Sequence, residues 1–198
     1  MSRAFAITWD YRCPFARIAH DHVLTGLAAG ADWEVQFLPF SLGQAHVAEG
    51  QPDVWDAPES DSGLLALQAA IVVRERYPDQ FLDVHRALFE LRHDHGGSLR
   101  DRDVVGGVLE AYGVDAAKVW GEVDGGWPLA MVKAEHEAWV ESHQVWGVPT
   151  FIVGDAAAFV RLLEAPSDAD EAISSVERIV DLLAWSELNE FKHTSIPR

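Results

Sequence analysis

The sequence predicts an α/β fold in which an N-terminal βαβ unit and a C-terminal ββα unit are separated by a long run of helices. Three observations carry this reading. Apolar stretches at Arg3–Trp9 and Trp33–Phe40 flank a helical segment, and scarcely any strand signal falls between Leu64 and Gln144. Two further apolar runs then meet at a Gly154-Asp155 connection. At 198 residues the chain suits one domain, or one domain carrying a large insertion, and can bury a sizeable core.

The elements follow in order. Arg3–Trp9 alternates, with Phe5, Ile7 and Trp9 on one face, as a strand does. Pro14 to Leu27 reads as a helix, because Pro14 falls in the first turn, where its missing N–H costs little. Gly26 weakens its end and Gly30 can terminate it. Trp33–Phe40 reads as a second strand, interrupted near its end by Pro39, and a helical crossover makes the two strands parallel. The Gly-, Pro- and Asp-rich stretch from Gly43 to Ser62 reads as a surface loop.

Helices are then expected at Leu64–Arg76, ending before Pro78, and at Asp79–His93, where Phe81, Leu82, His85, Leu88 and Phe89 recur at helical spacing. Asp101–Tyr112 is weakened by Gly106-Gly107, and Asp115 can cap a short helix through Trp120. Pro128–Gln144 closes the series. Trp146–Val153 and Ala156–Leu163 around Gly154-Asp155 read as a β-hairpin. Ser167 or Asp168 then caps an amphipathic segment running to about Glu190. The expected division is an α/β domain of residues 1–63 and 145–198 with a helical insertion at 64–144.

A formal charge of −17 argues against nucleic-acid binding, since phosphates would be repelled and no basic patch is visible. No apolar stretch approaches the roughly 20 residues that span a bilayer, so no membrane partner is expected. The N-terminus lacks a basic segment followed by an apolar run and a small-residue cleavage site. With one cysteine, this fits a reducing, cytoplasmic setting.

That cysteine, Cys13, follows the first strand and opens the first helix in the run Cys13-Pro14-Phe15-Ala16. A second cysteine at the fourth position would make a dithiol redox motif; Ala16 stands there instead, so Cys13 acts as a monothiol. Partial positive charge at a helix N-terminus stabilises a thiolate, and Arg12 and Arg17 add charge nearby in sequence. These effects predict an exposed Cys13 with a lowered pKa. Nine histidines include the clusters His20-Asp21-His22 and His93-Asp94-His95, but neighbours two apart point to different sides of a helix. No metal site is expected, and the histidines are assigned to the surface or an interface. The eight tryptophans read as core and cleft walls, with Trp9 and Trp146 beside the motifs.

Together with Gly147-Val148-Pro149-Thr150, this order of elements around Cys13-Pro14-Phe15-Ala16 resembles the DsbA-like superfamily. The resemblance implies a thioredoxin fold with an inserted all-helical subdomain. That superfamily includes kappa-class glutathione transferases, 2-hydroxychromene-2-carboxylate isomerases and mycothiol-dependent reductases, and the chain is most similar to the last. The similarity extends to Glu190–Thr194 and so covers nearly the whole chain. It departs from the transferase and isomerase pattern, which generally carries serine where this chain has Cys13.

The resemblance implies a cytoplasmic thiol–disulfide oxidoreductase acting through Cys13, its mixed disulfide resolved by an external low-molecular-weight thiol. Mycothiol or glutathione is the expected cosubstrate, with no tightly bound cofactor. The partners are then that thiol and a disulfide or electrophilic substrate, and a homodimer is admissible. Arg12, Pro14 and Phe15 around the thiol, Val148 and Pro149 in a loop whose proline is usually cis, and Ser167 and Asp168 at the last helix are assigned to substrate binding. For Ser167 and Asp168 plain helix capping is the alternative. A transferase-like or isomerase-like enzyme, and a redox-silent thioredoxin-fold binding protein, are the competing readings.

Overall fold

A computed structural model describes residues 2–188. The chain runs β1 (Arg3–Trp9), α1 (Pro14–Ala28), β2 (Trp33–Pro39), α2 (Leu42–Ala45), α3 (Leu64–Arg76), α4 (Pro78–His93), α5 (Arg102–Ala111), α6 (Ala116–Asp124) and α7 (Trp127–His143). It then forms β3 (Thr150–Val153), β4 (Ala156–Phe159) and α8 (Ala169–Ala184). One mixed sheet has the order β2-β1-β3-β4, with β1 and β2 parallel and the other neighbours antiparallel. This is a thioredoxin fold, and after the short α2 the five helices α3 to α7 stand before β3 as its helical insertion.

Local chemistry accounts for the boundaries. Gly30 takes a φ of 85°, which an L side chain resists, and reverses the chain after α1. Asp101 and Asp115 accept backbone N–H groups at the starts of α5 and α6. The stretch expected to be a plain loop instead contains α2 and two single 3-10 turns. Gln44 organises it, donating its side-chain amide to Asp53 and accepting the N–H of Val54. The hairpin strands are shorter than the apolar runs: β3 starts only at Thr150, because Pro149 has no N–H for the ladder. The last helix ends at Ala184 rather than near Glu190; Trp185 follows with an extended backbone and is half exposed. Glu190 and the residues after it lie outside the described range, as does the similarity noted for them.

Central strand β1 is buried from Phe5 to Trp9, so both faces of the sheet are covered, not only the face of Phe5, Ile7 and Trp9. Phe5 meets Trp33 and Phe151, while Trp9 meets Phe81 and His85 of α4. The insertion therefore shares one apolar core with the sheet. Helix α1 packs between α8 and α4, which sets its N-terminus at the junction of the α/β unit and the insertion. Among the described residues, no helix is long and apolar enough to cross a membrane.

Candidate active site

Cys13 is the N-cap of α1. Its backbone is extended and its Sγ accepts the N–H of Ala16 at 3.4 Å, taking the place that a serine or aspartate oxygen fills at other helix starts. On its other side the thiol donates to the carbonyl oxygen of Val148 at 3.3 Å. The Val148–Pro149 peptide bond is cis. Thr8 in β1 holds this second loop: its hydroxyl accepts the N–H of Thr150 at 2.9 Å and reaches the carbonyl of Gly147. The Thr150 hydroxyl donates to the same carbonyl at 2.8 Å. Pro149 in turn accepts the N–H of Val160, which ties the end of β4 to the loop.

The expectation of an exposed thiol with a lowered pKa is corrected. Cys13 is half-buried, and burial pushes its pKa up, ahead of the N–H groups of Ala16 and Phe15 that pull it down. Asp10 pushes in the same direction as burial and Arg161 opposes it. The arginines close in sequence do not serve the sulfur. Every nitrogen of the Arg12 guanidinium is engaged, by Asp10, Asp61 and Ser62. Arg17 grips Asp94 with two bonds of 2.5 Å.

Arg12 is therefore a latch between the Cys13 loop and the segment leading into α3. Asp10 is fully buried and also accepts the N–H of Leu42 at 2.8 Å. Asp61 caps α3 through the N–H groups of Gly63 and Leu64. Gly63 is small by necessity, since a Cβ there would sit 2.6 Å from the Arg12 Nε. This engagement commits the Arg12 guanidinium, assigned to substrate binding, to partners within the chain.

Beneath the loop lies a chain of buried polar groups that the sequence did not reveal. The Tyr11 hydroxyl meets His85 Nδ1 at 2.8 Å, His85 Nε2 meets His20 Nδ1 at 2.9 Å, and His20 Nε2 meets the Thr8 carbonyl at 3.2 Å. A carbonyl can only accept, so His20 carries its proton on Nε2 and accepts at Nδ1. It follows that His85 donates from Nε2 and accepts the Tyr11 proton at Nδ1. Both rings are then neutral, and burial lowers both pKa values, that of His20 to about 4. His93 adds a bond from Nε2 to the carbonyl of Tyr11 at 2.9 Å. Placing the histidines at the surface or an interface is thus corrected for His20, His22, His85 and His136, which are all buried. Among the described residues, no three His, Cys, Asp or Glu side chains converge as a metal site.

Of the remaining assigned residues, Val148 and Pro149 are buried and Val148 touches the thiol, while Pro14 is exposed beside it. Phe15 lies under the guanidinium of Arg161, whose Cζ is 3.7 Å from the ring centre. Ser167 and Asp168 are engaged in capping α8: Asp168 accepts the N–H of Glu171, and Glu171 turns back to the N–H and hydroxyl of Ser167. With Asp170 and Glu171 in that first turn, a ligand carboxylate would meet like charge. Trp146 is a rim residue, 68% exposed and packed against Phe159. Thr8, Tyr11, His20, His85 and Arg161 were missed. Arg161 left a signal as the one charge in the run Ala156–Leu163, and His85 as a polar residue on an apolar helix face.

A thiol at the N-cap of the first helix, facing a cis-proline loop across from it, defines a protein of the thioredoxin-fold class. The DSBA-like thioredoxin domain matches residues 7–165, and the chain belongs to that family. No curated protein matches the chain significantly. Solved structures share the fold at low identity. A 2-hydroxychromene-2-carboxylate isomerase is 16% identical with a TM-score of 0.64, the match covering 90% of this chain and 95% of that one. The oxidoreductase DsbA from Xylella fastidiosa is 17% identical with a TM-score of 0.60, covering 91% and 85%. A thioredoxin-like oxidoreductase from Silicibacter pomeroyi is 18% identical with a TM-score of 0.60, covering 90% and 86%.

Proposed function

We propose that this chain is a cytoplasmic monothiol thiol–disulfide oxidoreductase acting through Cys13, with a small thiol such as mycothiol or glutathione as the resolving partner. The observation that carries the reading is the placement of the sole thiol: Sγ at the start of α1, with the Ala16 N–H on one side and the Val148 carbonyl on the other. In the forward step the Cys13 thiolate attacks one sulfur of a disulfide, the S–S bond breaks, and the second sulfur leaves as a thiolate. Ala16 offers no sulfur to resolve the product, so an external thiolate attacks the mixed disulfide and returns Cys13 to its reduced form. The external thiolate bonds to the carried sulfur and expels the Cys13 thiolate, so in each cycle one disulfide is consumed, one is formed, and one thiol is exchanged for another.

One observation favours a second reading. The resting Cys13 is a hydrogen-bond donor with a raised pKa, a state suited to orienting the sulfur of a bound thiol cofactor in a transferase-like or isomerase-like reaction. Incubation of the reduced protein with oxidised glutathione, followed by intact-mass measurement, separates the two. A single glutathione adduct, lost in Cys13→Ser, supports the redox reading. Absence of the adduct, with turnover of a chromene or aryl halide in the presence of a thiol, supports the second.

A further inference from the structure

We infer that Arg161 selects an anionic group on the small disulfide or thiol that reacts at Cys13, and that the apolar body of that molecule lies along an aromatic rim beside it. This rests on the reading of Cys13 as the reactive thiol and names the substrate class for that site.

The position of Arg161 is set by the backbone. Thr150 pairs with Phe159 in the hairpin, and the next bond runs from the Val160 N–H to the Pro149 carbonyl. Residue 161 therefore emerges directly beside the loop whose Val148 carbonyl holds the thiol. Its Cζ lies over the ring of Phe15, two residues beyond Cys13, 3.7 Å from the ring centre. Seven other arginines, at positions 3, 12, 17, 74, 76, 86 and 102, each hold a carboxylate. Arg161 pairs with none among the described residues and is exposed. A chain of formal charge −17 repels anionic small molecules in general, so an unneutralised guanidinium next to the thiol changes which ones approach.

The surroundings supply the apolar part. Phe159 packs against Trp146 with ring centroids 4.6 Å apart and planes tilted by 34°, and Leu163 beyond Arg161 is 70% exposed. Two aromatic contacts, Phe15 under Arg161 and Phe159 against Trp146, thus flank the thiol and its loop, with Arg161 and Trp146 exposed and the two phenylalanines partly so. Exposed apolar surface of this kind marks a binding face, and a stacked guanidinium binds carboxylates while its other face rests on the ring.

The test uses two aromatic disulfides of opposite electrostatic character, the dianion dithiobis(nitrobenzoate) and neutral dithiodipyridine. In each reaction the Cys13 thiolate forms a disulfide with one aryl sulfur and expels the other as a coloured thiolate or thione. The quantity read is the ratio of the anionic to the neutral rate constant, which cancels any change in the thiolate fraction. Arg161→Gln should lower this ratio by roughly 5–10-fold at low salt, Arg161→Lys should keep most of it, and added salt should narrow the difference. An unchanged ratio in Arg161→Gln, with Cys13 reacting normally, overturns the inference and leaves the redox reading intact. Failure of the native protein to react with either disulfide overturns both.

Discussion

The Cys13 sulfur and the Val148 carbonyl oxygen stand 3.3 Å apart, with the thiol as donor. A carbonyl lone pair pointed at sulfur favours S–H over the thiolate, whereas the N–H of Ala16 on the other side favours the thiolate. Burial decides the contest and holds Cys13 above the ordinary thiol range. An attacking or incoming sulfur must displace this bond, so the loop is both a brake on the resting thiol and part of the surface the partner meets.

Alkylation of native Cys13 by iodoacetamide should accordingly rise with pH through an inflection above the ~8.5 of a free cysteine. The sign follows from the raised pKa: the reactive anion is populated only at higher pH. Rate constants measured across the alkaline range, with the unfolded protein as reference, check it. An inflection below that of the unfolded chain would show that the helix terminus outweighs burial.

The buried histidines should make the fold sensitive to acid. His20 and His136 have pKa values lowered to about 4, and that of His85 lies well below the ordinary value. Each depressed group binds protons in the unfolded chain first. Their contribution is therefore present above the ordinary histidine pKa of ~6.5 and lost as pH falls toward about 4. Urea midpoints taken at intervals between those limits should fall steadily, and a flat profile would contradict the neutral assignment.

Tyr11→Phe should lower stability by about 1–2 kcal/mol, because it strands His85 Nδ1 without a donor in the core. Urea unfolding at neutral pH gives the number. A change near zero would mean that Tyr11 is not the donor to His85.

Arg12→Met should cost about 3–5 kcal/mol, since it leaves the fully buried Asp10 carboxylate and Asp61 without their cation. The companion Asp10→Asn/Arg12→Met should recover part of the loss. Thermal unfolding of both variants tests the latch, and a single variant as stable as the parent would refute it.

The sequence carried the architecture because periodicity and punctuation agreed: Gly30, the caps Asp101 and Asp115, and Pro149 before β3 each did locally what the fold required. The candidate site was half legible. Cys13 and Val148-Pro149 belong to recognisable turns, but side-chain directions are set by tertiary partners. Arg12, two residues from Asp10, turned to it and to Asp61 rather than to the sulfur. Arg161, far along the chain, reached the site through the hairpin register instead. His85 sat visibly on an apolar helix face, yet nothing local announced that Tyr11 and His20 would satisfy both its nitrogens.

The central claim is that Cys13 works without an internal resolving thiol, and the lifetime of its mixed disulfide measures this directly. Ala16 is buried in the first turn of α1, its N–H on the Cys13 sulfur, so Ala16→Cys introduces a second thiol close to the first. Parent and variant, each charged with oxidised glutathione and freed of excess reagent, would be followed by intact mass without reductant. The expected result is a parent adduct that persists until an external thiol is added and a variant adduct that decays by internal exchange. A parent adduct that decays as fast as the variant's, or that never forms, would contradict the monothiol mechanism.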